Sequence, residues 1–177
     1  MPRFDRIVVL DWSAAGRPTR GADSIWIGDD RGLLANPPTR MEAHHLLQGL
    51  AEPGTRLLIG ADFAFGHPSG LARQITGRAD ALALWDHLDA QHSDDARNCS
   101  NFRDVAAGLN RALDAPVFWG DGRRLPTPDL PRLRPPPHPD LAPHRVTETP
   151  IPGGPRPKSP FQLAGAGAVG AQTLTGI

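Results

Sequence analysis

Two aspartates, Asp11 and Asp62, each close an apolar run: Arg6-Ile7-Val8-Val9-Leu10 before the first and Arg56-Leu57-Leu58-Ile59-Gly60-Ala61 before the second. Short apolar runs bounded by turn-prone residues read as buried strands. Two such strands deliver two carboxylates to one edge of a sheet, where α/β proteins gather their ligands. Hard oxygen donors in that position hold a divalent cation, Mg²⁺ or Mn²⁺, or polarise a nucleophile. Taken singly, each aspartate is a turn former; the matched contexts make the pair a candidate site, with both residues as catalytic acids and as metal ligands.

Other groups join this pair as candidates. In Asp11-Trp12-Ser13-Ala14-Ala15-Gly16, Ser13 and the backbone N–H groups are placed to meet a phosphate, although the lysine and spacing of a P-loop are missing. His67 follows Asp62 by five positions. Glu148, one of three glutamates, is the candidate third catalytic acid from the second half. Lys158 and Ser159 precede Pro160 and Gln162 in the pattern of a helix start, where an anion is favoured. Gly165-Ala166-Gly167-Ala168-Val169-Gly170 matches G-x-G-x-x-G by letter, but no strand precedes it and no acid follows it, so it reads as a place of close backbone packing. The single cysteine, Cys99, excludes an internal disulfide and any multi-cysteine zinc site.

The elements that must position these groups follow from pattern. Strands are expected near residues 6–11, 24–28, 32–35 and 56–62. Thr39 and Glu42 form a capping box that opens a helix through about Leu50, and Pro53-Gly54 ends it. The order β-β-β-α-β predicts an α/β fold with a mixed sheet. Leu82, Trp85 and Leu88 mark a helix over 79–92; Phe102, Val105, Ala106, Leu109 and Leu113 mark another over 100–113. Phe118-Trp119-Gly120 is a candidate short strand.

From Pro116 to Pro160 the character changes, for 14 of the 20 prolines lie there and no helix or sheet period survives. Residues 121–158 read as a Pro/Arg-rich loop or insertion within a single domain spanning 1–177. Seven basic residues against four acids give this segment a local positive charge, the one feature that points to a nucleic acid or nucleotide substrate. The whole chain carries 19 basic and 19 acidic residues, so no global field draws it to nucleic acid or to an anionic membrane. No apolar run approaches the roughly 20 residues of a membrane span, and the start lacks a signal-peptide core, so a cytoplasmic protein without membrane contact is expected. The small apolar end after Ser159 raises the expectation of truncation at the C-terminus. The oligomeric state stays open.

Three phrases, VVLDWSAAGRPTRGADSIWIG, LLIGADFAFGHPSG and PKSPFQLAGAGAVGAQ, together with the β-β-β-α-β order, resemble the DUF429-type family of predicted RNase H-like nucleases and related uncharacterised bacterial proteins. The resemblance implies an RNase H-like mixed sheet with flanking helices. It also implies that Asp11 and Asp62 are metal ligands in a phosphodiester hydrolysis with water as nucleophile. That fold normally supplies further acids from a helix and from its C-terminal part; here the helix offers Glu42, and no acid follows Glu148. Some similar proteins are labelled as pterin-cofactor or cobalamin biosynthesis proteins, though no residue here supports such a substrate. The rival readings are a nucleotide-binding phosphotransferase-like protein, with the loop after Asp11 as phosphate cradle, and a non-catalytic ligand-binding or interaction domain or truncated remnant.

Overall fold

The computed structural model describes residues 3–125, 127–154 and 156–177. The chain is mixed α/β and divides into two compact units, Met1–Phe63 with Asp94–Ser100, and Ala64–Ser93 with Asn101–Ile177.

The first unit holds the sheet: β1 (Arg6–Asp11), β2 (Trp26–Asp29), β3 (Leu34–Ala35) and β4 (Leu57–Ala61), with α1 (Arg40–Leu50) between β3 and β4. The strand order is β3-β2-β1-β4. β1 runs antiparallel to β2 and parallel to β4, so the sheet is mixed. Along β1 the burial alternates, Val8 and Leu10 inside and Ile7 and Val9 outside, as the two-residue side-chain period requires. Val8, Leu10, Ile25 and Ile27 share one core with Ala43 and Leu50 of α1, and Leu46 and Leu47 pack against it. These four α1 positions are spaced 3, 1 and 3 residues apart, which is one helical face. Thr39 starts the helix by accepting a 3.1 Å bond from the Glu42 N–H, the half of the expected capping box that forms. Asp29 shapes the β2–β3 turn, its Oδ1 accepting from the N–H groups of Arg31 and Leu33 at 2.9 and 2.7 Å.

The second unit contains α2 (Leu71–Thr76), α3 (Ala81–Asp89), α4 (Phe102–Ala112), a 3-10 turn at Val146–Glu148 and α5 (Gly170–Gly176). Asp80 caps α3 through the Leu82 N–H at 3.0 Å. The expected apolar stripe of α4 is buried at Phe102, Val105, Ala106 and Leu109, but on α3 the core face is Ala83, Leu84 and Leu88, and Leu82 is exposed. Phe118-Trp119-Gly120 forms a single parallel bridge, Trp119 to Gln162, in place of a strand. Asn110 explains how this irregular segment holds its place. Its side-chain oxygen accepts from the N–H groups of Val117 and Phe118 at 2.9 and 2.8 Å, and its amide donates to the Phe118 and Asp129 carbonyls at 3.0 and 2.7 Å. A buried amide with all four bonds made substitutes for a strand partner. Further along the proline-rich stretch, Leu130 and Leu141 are buried, so apolar anchors tie irregular backbone down.

The helix expected from Ser159 does not form there. Residues 160–161 make a turn, Gly165 and Gly167 take φ of 109° and 72°, and helix begins only at Gly170. Glycines adopt such left-handed angles at no steric cost and weaken helix interiors, which explains the shift. The glycine-rich run is instead a place of close approach: a Cβ on Gly170 would stand 2.6 Å from the Gln162 carbonyl oxygen and 2.7 Å from that of Pro160. Gly170→Ala therefore forces backbone apart and should destabilise the second unit by about 1–3 kcal/mol, read as a lowered urea midpoint.

Candidate functional site

The parallel register sets the site. Leu10 pairs with Ala61, and the Asp62 N–H continues the ladder onto the Leu10 carbonyl at 3.2 Å. Asp11 and Asp62 are thus the next pair in register, with side chains on the same face of the sheet. The residues after them alternate to the opposite face: Trp12 and Phe63 are buried, their rings 6.0 Å apart, in or against the core under α1. Each strand therefore ends in an aspartate–aromatic pair, with the aromatic group anchoring the strand end and the carboxylate projecting the other way.

The Trp12 N–H donates to Asp62 Oδ1 at 2.8 Å, which fixes that carboxylate. Partial burial and the negative charge of Asp62 push the Asp11 carboxyl above its ordinary value. With both groups ionised the strand ends hold two adjacent negative charges, an arrangement that a cation relieves. Two carboxylates with room for water and substrate oxygens fit Mg²⁺ or Mn²⁺, which need one or two protein carboxylates. Among the described residues no group of three or more His, Cys, Asp or Glu side chains gathers at one point.

Behind the site lies a buried arginine that sequence reasoning passed over. Arg40, 4% exposed, pairs with Asp94 through Nε and Nη2. Its guanidinium also donates to the carbonyls of Ala15 at 2.9 Å, Ser13 at 3.3 Å and Asn98 at 3.0 Å. Asn98, itself buried with φ of 63°, accepts from the Arg40 N–H at 2.9 Å and donates to the Arg17 and Pro38 carbonyls at 3.2 Å each. Together they pin the loop that leaves Asp11. The Ser13 hydroxyl is used within that loop, donating to the Asp23 carbonyl at 3.1 Å and accepting from the Ala15 N–H at 3.3 Å.

The remaining candidates belong to the second unit. Glu148 is buried and committed to Arg145, accepting from its backbone N–H at 2.8 Å and from its guanidinium at 2.9 and 2.7 Å. Lys158 is exposed, and Ser159 is buried with its hydroxyl accepting from the Phe161 N–H at 3.2 Å, so neither stands at a helix mouth. His67 packs among aromatic rings, stacked on Phe161 at 5.6 Å and edge-on to Phe118 at 5.5 Å. Burial, and secondarily the charge of Arg145, lower its pKa to about 4, so the ring is neutral at pH 7.

A third aspartate repeats the motif of an apolar run closed by an acid: Val117-Phe118-Trp119-Gly120-Asp121. Its signal in sequence is the same as that of Asp11 and Asp62. The side chain is buried, and Arg123 grips both oxygens through Nε and Nη2 at 3.0–3.1 Å. Burial alone raises its pKa, but the hydrogen bonds and charge of Arg123 outweigh this and hold it below the ordinary carboxylate range. Asp121 is thus a partnered structural acid, unlike the Asp11–Asp62 pair. Comparison of the chain with protein-family models, with curated proteins and with solved structures found no match.

Proposed function

We propose that the first unit is an RNase H-like domain, akin to the DUF429-type proteins, that binds Mg²⁺ or Mn²⁺ through Asp11 and Asp62 and hydrolyses a phosphodiester in a nucleic acid or nucleotide. The observation that carries this reading is the pair of carboxyl groups set side by side, in register, at the carboxyl ends of two adjacent parallel strands. The strand order β3-β2-β1-β4 and the α1 crossover before β4 support it. A bound divalent ion supplies charge neutralisation at the phosphoryl oxygens and activates water. Asp11 and Asp62 hold the ion, and the Trp12 N–H keeps Asp62 oriented. The nucleotide-cradle alternative has less support, because the Ser13 hydroxyl is already engaged within its own loop.

The test is hydrolysis of single-stranded RNA, single-stranded DNA, an RNA–DNA hybrid and bis(p-nitrophenyl) phosphate with Mg²⁺ or Mn²⁺. Metal-dependent cleavage by the wild type that falls at least about 100-fold in Asp11→Asn and in Asp62→Asn is expected. Full metal-dependent activity in either variant would refute the assignment.

A further inference from the structure

The two edges of the sheet differ in how they meet solvent. At one, β3 is only two residues long, Leu34–Ala35, with Pro37-Pro38 close behind. Very short strands and nearby prolines are how proteins blunt an edge. At the other, β4 runs Leu57-Leu58-Ile59-Gly60-Ala61 with no proline and no charge inside it. Leu58 and Ile59 on this edge are 40% and 37% exposed. A bare apolar edge strand is a template for another strand.

The ladder with β1 fixes which groups β4 offers. The Arg56 carbonyl accepts from the Arg6 N–H at 3.4 Å and the Asp62 N–H donates to the Leu10 carbonyl at 3.2 Å. In a strand, alternate residues bond to the same neighbour, so Arg56, Leu58, Gly60 and Asp62 turn their main-chain groups toward β1. Leu57, Ile59 and Ala61 therefore turn their N–H and C=O groups outward, and among the described residues no hydrogen bond from outside the sheet reaches them.

We propose that β4 pairs antiparallel with β4 of a second copy of this chain, about a two-fold axis at Ile59. Three observations select this occupant and this register. All three outward-facing residues find partners, Ile59 opposite Ile59 and Leu57 opposite Ala61, which makes about six main-chain hydrogen bonds. On the other face Leu58 of each copy lies across Gly60 of its mate, where no side chain competes for the space. At the strand ends Arg56, whose side chain is 57% exposed, falls opposite Asp62 of the second copy, so unlike charges meet across the ladder. Arg56 keeps its own hold on Asp5, at 3.0 and 2.7 Å, and adds complementarity of sign. The contact uses the same strand on both copies, and the blunted β3 edge offers no second template, so assembly stops at two. The proposal does not rest on the metal-site reading.

The experiment is sedimentation equilibrium of the full chain, joined to disulfide trapping. With so short a strand the dimer is a weak one, and the wild type should pass from monomer to dimer with Kd of about 10 µM. Ile59→Pro removes an outward N–H that β1 does not use, so the sheet tolerates it as an edge-strand proline, and dimerisation should weaken at least about 10-fold. In a Cys99→Ser background, Ile59→Cys places two thiols directly across the axis, with Cα atoms about 5.5 Å apart, within disulfide reach. Leu58→Cys places them about 8 Å apart, beyond it. Mild oxidation should therefore link Ile59→Cys chains in pairs and leave Leu58→Cys chains single. This comparison holds whether or not Ile59→Pro folds. A wild type that stays monomeric at about 200 µM would overturn the proposal and leave the edge to a strand of a different protein. A folded Ile59→Pro chain that dimerises like the wild type, or Leu58→Cys chains linked as fully as Ile59→Cys chains, would overturn it as well.

Discussion

Replacing Arg40 by methionine should cost about 3–5 kcal/mol of stability, the range for breaking a buried ion pair from one side. The guanidinium is almost wholly buried and satisfies the Asp94 carboxylate and three backbone carbonyls, those of Ser13, Ala15 and Asn98. Methionine fills similar volume but returns none of these bonds, so it leaves a carboxylate, 19% exposed, and several carbonyls without a donor. Urea unfolding followed by circular dichroism measures the loss. Arg40→Met/Asp94→Leu removes the stranded carboxylate and should recover part of it. A loss under about 1 kcal/mol in Arg40→Met would mean that the loop is held by something else. Because the same guanidinium holds the Ser13–Ala15 backbone, the variant should also weaken metal binding at Asp11.

The second large effect runs the opposite way, for Asp11→Asn should make the metal-free protein more stable at pH 7. Folding raises the Asp11 pKa, because the native state partly buries this carboxyl and sets it against Asp62. The native state then binds the proton more tightly than the unfolded chain, whose carboxyl titrates near about 3.9. Stability therefore falls as pH rises from that value through the higher native one, and the deficit persists at neutral pH. Asparagine cannot ionise and avoids the deficit. The expected result is a higher Tm for the variant at pH 7 and a difference that shrinks toward pH 3. Adding Mn²⁺ at about 100 times its Kd should stabilise the wild type by about 2.7 kcal/mol and leave Asp11→Asn/Asp62→Asn unmoved. A double variant stabilised by Mn²⁺ as much as the wild type would place the ion elsewhere.

What could be read along the chain divides by range. β1, β4, α1 and α4 were legible because their signals are local: an apolar run, a capping threonine, a stripe at helical spacing. The pairing of Asp11 with Asp62 was legible as two matching strand ends, but the register that sets them side by side is a relation across 51 positions that neither run encodes alone. The roles of Arg40, Asn98 and Asn110 were not legible. Their partners lie up to 81 residues away, and nothing in residue type separates a buried asparagine with every bond made from one in a surface turn. α2 was missed because six residues between two glycines are too short for a periodic signal. Ser159 misled for the opposite reason: its local cap pattern was sound, but the glycines that follow turn the backbone into left-handed angles before a helix can propagate.

The central claim is that Asp11 and Asp62 form one cation site, and Mn²⁺ binding followed by electron paramagnetic resonance at pH 7 tests it most directly. The wild type should bind one Mn²⁺ that Mg²⁺ displaces, with affinity rising as pH increases through the Asp11 titration, and Asp11→Asn/Asp62→Asn should bind none while remaining folded. A folded wild type that leaves Mn²⁺ free, or a double variant that binds it equally well, would contradict the account.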